Sequence, residues 1–254
     1  MKLPRKNISL HIITAFSNRI LTTKIITIMA LSSITKKLIM SISGLFLIVF
    51  LLLHMTINFF SVIDSFTGKY GAADGLFQAG CDFMALPFIT IMVPVLAAGF
   101  LVHIVYAFIL SYGNYKARGT QRYAVANKTK AESWAAKNML VLGVIVLGIV
   151  AFHLTHFWAD MQLAEWQGHH AANPYDLLNA TFGNWWMLAI YLVWFAALGL
   201  HLCHGFWSAF QSIGLSNKIW EKRLMVIGYA FAAIIVLGFA ATAINAFCQV
   251  NCCC

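Results

Sequence analysis

The sequence predicts an all-α integral membrane bundle of five transmembrane helices, on three observations. Only 10% of its 254 residues are charged, whereas a soluble domain carries about a quarter. Charged residues divide the chain so that five long uncharged stretches remain. No stretch shows the apolar–polar alternation of membrane barrel strands. A net charge of +9 elsewhere points to nucleic acid, but in a chain that is 61% hydrophobic basic residues mark cytoplasmic loops.

The first span, "LIMSISGLFLIVFLLLHMTINFFSVI", lies between Lys37 and Asp64. The second lies between Asp82 and Lys116, the third between Lys137 and Asp160, and the fourth between Asp176 and Lys218. The fifth follows Arg223. Each exceeds the roughly 20 residues a helix needs to cross about 30 Å of hydrocarbon. Residues 35–247 therefore form one membrane domain. Ahead of it, residues 1–34 form an extension that is apolar in patches and interrupted by Arg19 and Lys24. That extension lacks the clean apolar core and small-residue cleavage site of a signal peptide. Two readings stay open for it: an interfacial amphipathic helix, or a translation start at Met29. His11 receives no role. Residues 248–254 carry Cys248, Cys252, Cys253 and Cys254, spaced like no zinc or iron–sulfur pattern, and are expected to be an unstructured external tail.

Loop charges set the orientation. Lys2, Arg5, Lys6, Arg19, Lys24, Lys36 and Lys37 precede the first span with no acid among them. The first loop holds Asp64, Asp74 and Asp82 against Lys69, and the second is basic, with Arg118, Arg122, Lys128 and Lys130 among its cations. The third has only acids, and the fourth has Lys218, Lys222 and Arg223 against Glu221. Alternation of this kind places the N-terminus in the cytoplasm and the C-terminus outside.

Histidines carry the chemistry. Six of the nine fall within spans: His54 in the first, His103 in the second, His153 and His156 in the third, His201 and His204 in the fourth. A lone membrane histidine is ordinarily satisfied by a neighbouring helix. Four consecutive spans each carrying at least one point instead to a functional set. Counted from the flanking charges, His54 stands 10 residues before Asp64 and His153 stands 7 before Asp160. His103 stands 13 before Lys116, and His204 stands 14 before Lys218, against 17 for His201. The expected pairs are His54/His153 in the outer half and His103/His204 in the inner half, about 16 Å apart along the membrane normal. Two stacked pairs of facing imidazoles are what two bis-histidine b haems require. Gly44, Gly99, Gly148, Gly199 and Gly205 lie where a porphyrin would need room, although glycine is common in membrane helices.

The stretches "SGLFLIVFLLLHM", "FLVHIVYAF", "AFHLTHFW" and "GLHLCHGFWSAF" carry a resemblance. From about Ser33 to Phe247 the chain resembles the single-chain di-haem cytochrome b membrane-anchor subunit (cytochrome b558 type) of succinate dehydrogenases and fumarate reductases. The resemblance implies four of five helices bearing haem ligands, with His54, His103, His153 and His204 as axial ligands. The His-Gly pair of the fourth span selects His204 over His201.

The same resemblance implies two haem b groups and a quinone substrate, menaquinone in the first instance, in a bacterial inner membrane. It also implies flavoprotein and iron–sulfur partner subunits on the cytoplasmic face. The chain would then be the electron-transferring subunit of a succinate:quinone oxidoreductase, with no dicarboxylate site of its own. Ser41, Arg122 and Trp134 are candidates for the inner haem's propionates, or else ordinary interfacial anchors. Some family members carry a glutamate two residues before the fourth-span ligand; here that position is Leu202, so a proton path through it is in doubt. Asp74 and Asp82 are candidate outer acids. Two readings stand for His156 and His201: a hydrogen bond within a haem pocket or a place near the quinone, and, favoured, bystanders satisfied by a neighbouring helix. Two rival readings are the b subunit of a formate or hydrogen dehydrogenase, and a histidine-based metal transporter built on "HLTH" and "HLCH".

Overall fold

A computed structural model describes residues 32–118 and 134–252, and every regular element among them is helical. In chain order these are α1 (Ser33–Thr67), α2 (Leu76–Met84), α3 (Pro87–Arg118), α4 (Trp134–Lys137) and α5 (Met139–His153). A π-helical stretch, Leu154–Leu163, continues α5 and leads into α6 (Ala164–Trp166). Then come α7 (Pro174–Phe182), α8 (Trp185–Ser212) and α9 (Trp220–Asn251). Five helices are long and apolar enough to cross a membrane: α1, α3, the continuous run Met139–Trp166, α8 and α9. The described residues are thus all-helical, and their five long apolar helices make the chain a multi-pass membrane protein.

Local chemistry sets the ends of these helices. Ser32 caps α1, its Oγ accepting from Thr35 N–H at 3.1 Å, which satisfies one of the orphan donors of the first turn. Gly68 ends α1 in the left-handed region at φ 71°, where a side chain would be strained. Pro87 opens α3, where a missing N–H costs nothing. Asn173 caps α7 by accepting from Tyr175 N–H at 2.9 Å. The uncharged run after Asp176 is therefore two elements, because α7 ends at Gly183 and the span begins afresh at Trp185.

At the other terminus, α9 continues to Asn251, so Cys248 is helical rather than part of a loose tail. The physical reason lies in two long-range bonds: Gln249 Nε2 donates to Ser65 Oγ at 3.1 Å, and Asn251 Nδ2 donates to the Gly183 carbonyl at 3.0 Å.

The fourth span, α8, is the hub. It contributes Tyr191, Trp194, Phe195, Leu198 and Leu202 to the buried core, where they pack with Ile235, Ala243 and Ala246 of α9 and with Met55 and Ile57 of α1. Small residues allow this approach, as is usual between membrane helices. A Cβ added at Gly238 of α9 would collide with Met55, and one at Gly99 of α3 would lie 2.6 Å from Phe46. The second span, α3, is peripheral: none of its most apolar window is buried, whereas 44% of the corresponding window of α8 is.

One end of the bundle is closed by a buried carboxylate. Asp64, fully buried at the end of α1, accepts from Leu76 N–H and Phe77 N–H at 2.8 Å each and from the Tyr175 hydroxyl at 2.7 Å. It therefore caps the start of α2 from another helix and fastens α7 over both. Beside it, the Tyr70 hydroxyl donates to Asn179 Oδ1 at 2.7 Å. Burial, and then the bond to Asp64, hold the Tyr175 phenol well above the usual tyrosine range, which keeps it protonated and donating.

Candidate functional site: two facing histidine pairs

The bundle brings two pairs of imidazoles together, each edge-on. His54 of α1 and His153, the last residue of α5, have ring centroids 5.8 Å apart and planes at 82°. His103 of α3 and His201 of α8 have centroids 6.5 Å apart and planes at 70°. Two imidazoles bound on opposite sides of one metal at about 2 Å per bond place their ring centroids about 6 Å apart. Both separations fit a bis-histidine iron.

Aromatic rings frame the first pair. Phe50 stacks on His54 at 5.4 Å, and Phe157 stacks on His153 at 4.9 Å. Trp194 and Tyr191 of α8 lie 6.1 and 6.5 Å from His153. The π-helical stretch begins directly after His153, and such wide turns are rare and concentrate at functional positions. In the second pair, Ser43 Oγ donates to the Met40 carbonyl at 3.0 Å and lies 3.3 Å from His103 Nδ1. With the hydroxyl proton directed to Met40, Ser43 Oγ offers His103 a lone pair, an arrangement that suits the tautomer protonated at Nδ1 and leaves Nε2 free as a ligand.

A Cβ at Gly44 would lie 3.3 Å from His103 Cε1, and one at Gly143 would lie 3.5 Å from His201 Cε1. These glycines let helix backbones close on the two rings. Gly99 and Gly199 instead face Phe46 and Val236, Gly205 faces Met139, and nothing lies within 4 Å of Gly148.

Orphaned polar atoms mark the same two places. Among the described residues, the buried side-chain polar atoms without a hydrogen-bond partner are His153 Nδ1, Tyr191 OH, Trp194 Nε1, His201 Nδ1 and His204 Nδ1. The first three sit at the His54/His153 layer, and the last two sit at or one helical turn from His201. In hydrocarbon an unmatched polar group is costly. Their confinement to the histidine layers points to groups that the chain does not itself supply.

His54 lies against His153, the pairing expected from the sequence, and His103 lies against a histidine of the fourth span, but that fourth ring differs. His201, not His204, faces His103; the His204 ring packs edge-on to Trp207 at 5.2 Å. The depth count measured from Lys218, whereas α8 ends at Ser212 and Gly214 turns the chain at φ 83°. Residues 213–218 therefore do not rise along the helix axis. From the helix end, His201 lies about 17 Å deep and His204 about 12 Å, while His103 lies about 20 Å above Lys116 within continuous helix. The deeper histidine is the better match.

His156, expected as a bystander, donates from Nδ1 to the Phe152 carbonyl of its own helix at 2.9 Å. Ser41 is buried in α1, and Trp134 opens α4 exposed to the surroundings. Arg122 lies outside the described residues. Asp74 pairs with Lys69 at 2.8 Å on the surface, where the hydrogen bond and charge of Lys69 hold its carboxyl below the usual range. Asp82 accepts from Gln78 at 2.8 Å. Ser43, Gly143, Tyr191 and Trp194 went unnoticed in the sequence. None carried a distinguishing signal there, since Ser43 is one of several hydroxyl residues in the first span, with Ser41, Thr56 and Ser61.

No family model, curated protein or solved structure matches the chain. Among the described residues, no group of three or more His, Cys, Asp or Glu is arranged to hold a metal ion.

Proposed function

We propose that the chain is a di-haem cytochrome b that carries electrons across a membrane. In this reading it is the anchor subunit of a succinate dehydrogenase or fumarate reductase, working between an iron–sulfur partner and a membrane quinone. The observation that carries the reading is the double pairing of imidazoles at 5.8 and 6.5 Å, each pair bridging two spans. The sequence resemblance supplies the complex, the partners and menaquinone as the quinone.

His54 and His153 would hold one haem, and His103 and His201 the other. Bound there, haem b supplies reversible one-electron chemistry at iron. The chain's own part is to fix and tune. Ser43 orients His103 and raises the basicity of its free nitrogen. Phe50 and Phe157 hold the rings of the other pair and keep water away. The loop-charge pattern puts the His103/His201 layer nearer the cytoplasm and the Asp64 end outside. The basic connection between the second and third spans would meet the partner subunits.

The test is a pyridine haemochrome assay with an iron-to-protein ratio on the purified chain. Wild type should hold two b haems, His201→Ala one, and His204→Ala two. Retention of both haems by His201→Ala, with loss of one by His204→Ala, would overturn the pairing. A chain without haem would overturn the function.

A further inference from the structure

The orphaned atoms at the His54/His153 layer include two that no axial-ligand role explains. Tyr191 and Trp194 lie one turn apart on α8, 1% and 8% exposed, with ring centroids 5.5 Å apart. Neither the Tyr191 hydroxyl nor the Trp194 indole N–H has a hydrogen-bond partner. Both rings adjoin His153. Buried Tyr and Trp normally place these polar ends on an acceptor, and two side by side in an apolar core point to a ligand that brings one.

The surroundings define its charge and shape. Residues 38–63, 138–159, 177–217 and 224–254, which contain the four spans around this layer, carry no Lys or Arg. A carboxylate there would be buried without a countercharge, which costs far more than a neutral acceptor. Phe152, Phe182 and Phe195 flank Tyr191 at 6.3, 5.0 and 6.0 Å, a setting suited to a flat aromatic molecule. We infer that Tyr191 and Trp194 donate hydrogen bonds to a carbonyl oxygen of a quinone bound beside His153. This assigns the quinone site that the proposed function requires and rests on that reading for the identity of the ligand. The other source of an acceptor oxygen is a haem propionate, which the missing countercharge disfavours.

The experiment uses the haem-loaded full chain in lipid nanodiscs, with carbonyl-labelled 2-methyl-1,4-naphthoquinone as probe. Affinity, the infrared carbonyl stretch and haem content are measured for wild type, Tyr191→Phe and Trp194→Phe. The expected result is a carbonyl band lowered by hydrogen bonding in wild type. Each variant should shift that band back towards the free position and weaken binding about tenfold, with both haems kept. Should one variant fail to fold, the other carries the test, since each removes a separate donor.

Unchanged band and affinity in the folded variants would overturn the inference, as would a wild type that holds two haems and binds no naphthoquinone. Loss of one haem with unchanged quinone affinity would assign the two donors to a haem propionate and also overturn it. Naphthoquinone binding that depends on both residues in a chain without haem would leave this site standing and remove the cytochrome reading.

Discussion

Asp64 shows how much one side chain can organise. Its two oxygens take three buried donors from α2 and α7, and hydrogen bonds to a charged group are worth more than neutral ones. Asp64→Asn should lower stability by about 3 kcal/mol, because the amide presents N–H groups to donors. Tyr175→Phe should cost about 2 kcal/mol. Thermal unfolding in detergent, followed by circular dichroism, checks both, and Asp64→Asn behaving as wild type would remove the capping role.

The neighbouring phenols give this end a pH signature. Burial, and then the Asp176 charge, push Tyr70 up from 10.0 to about 12, and Tyr175 is raised as well. A group with a raised folded-state pKa stabilises fully below its unfolded value and loses that contribution as pH rises through the folded one. Stability should therefore be level up to about pH 10 and fall towards pH 12. In Tyr70→Phe the fall should be shallower.

Among the elements, the second span is held least. α3 has none of its most apolar window buried and reaches the bundle chiefly through α1, at contacts such as Gly99 with Phe46. Yet it carries His103, so a haem shared with His201 would tie it to the hub helix α8. Chain produced under haem limitation should then show faster hydrogen exchange in α3, with α8 and α9 little changed, since ligands stabilise the elements they bridge. Equal protection of α3 with and without haem would show that α1 alone holds it. The third span makes a different point: its π-helical half starts directly after His153, and no Pro or Gly between Leu154 and Leu163 announces it.

For the whole molecule, topology is the testable property. The loop charges propose that the Asp64 end is outside; a membrane-impermeant amine reagent should then label Lys69 in intact cells and reach Lys218 only after permeabilisation, and the reverse order would invert the orientation. The number of spans was legible from charge spacing alone, because burying charge in hydrocarbon is costly enough to confine Lys, Arg, Asp and Glu to the loops. The same economy made His54, His103 and His153 conspicuous. The fourth histidine was not settled this way, since His201 and His204 are three residues apart and equally conspicuous.

Sequence by itself determined the membrane class, the five spans and the helices that carry imidazoles, all of which follow from the transfer cost of single residues. Tertiary structure alone decided that His201 rather than His204 faces His103, that Asp64 is a buried cap, and that Tyr191 and Trp194 stand unpartnered beside His153. Those depend on where α8 stops and how its faces rotate against α1, α3 and α5, and helix ends and rotation are set by packing between elements distant in the chain.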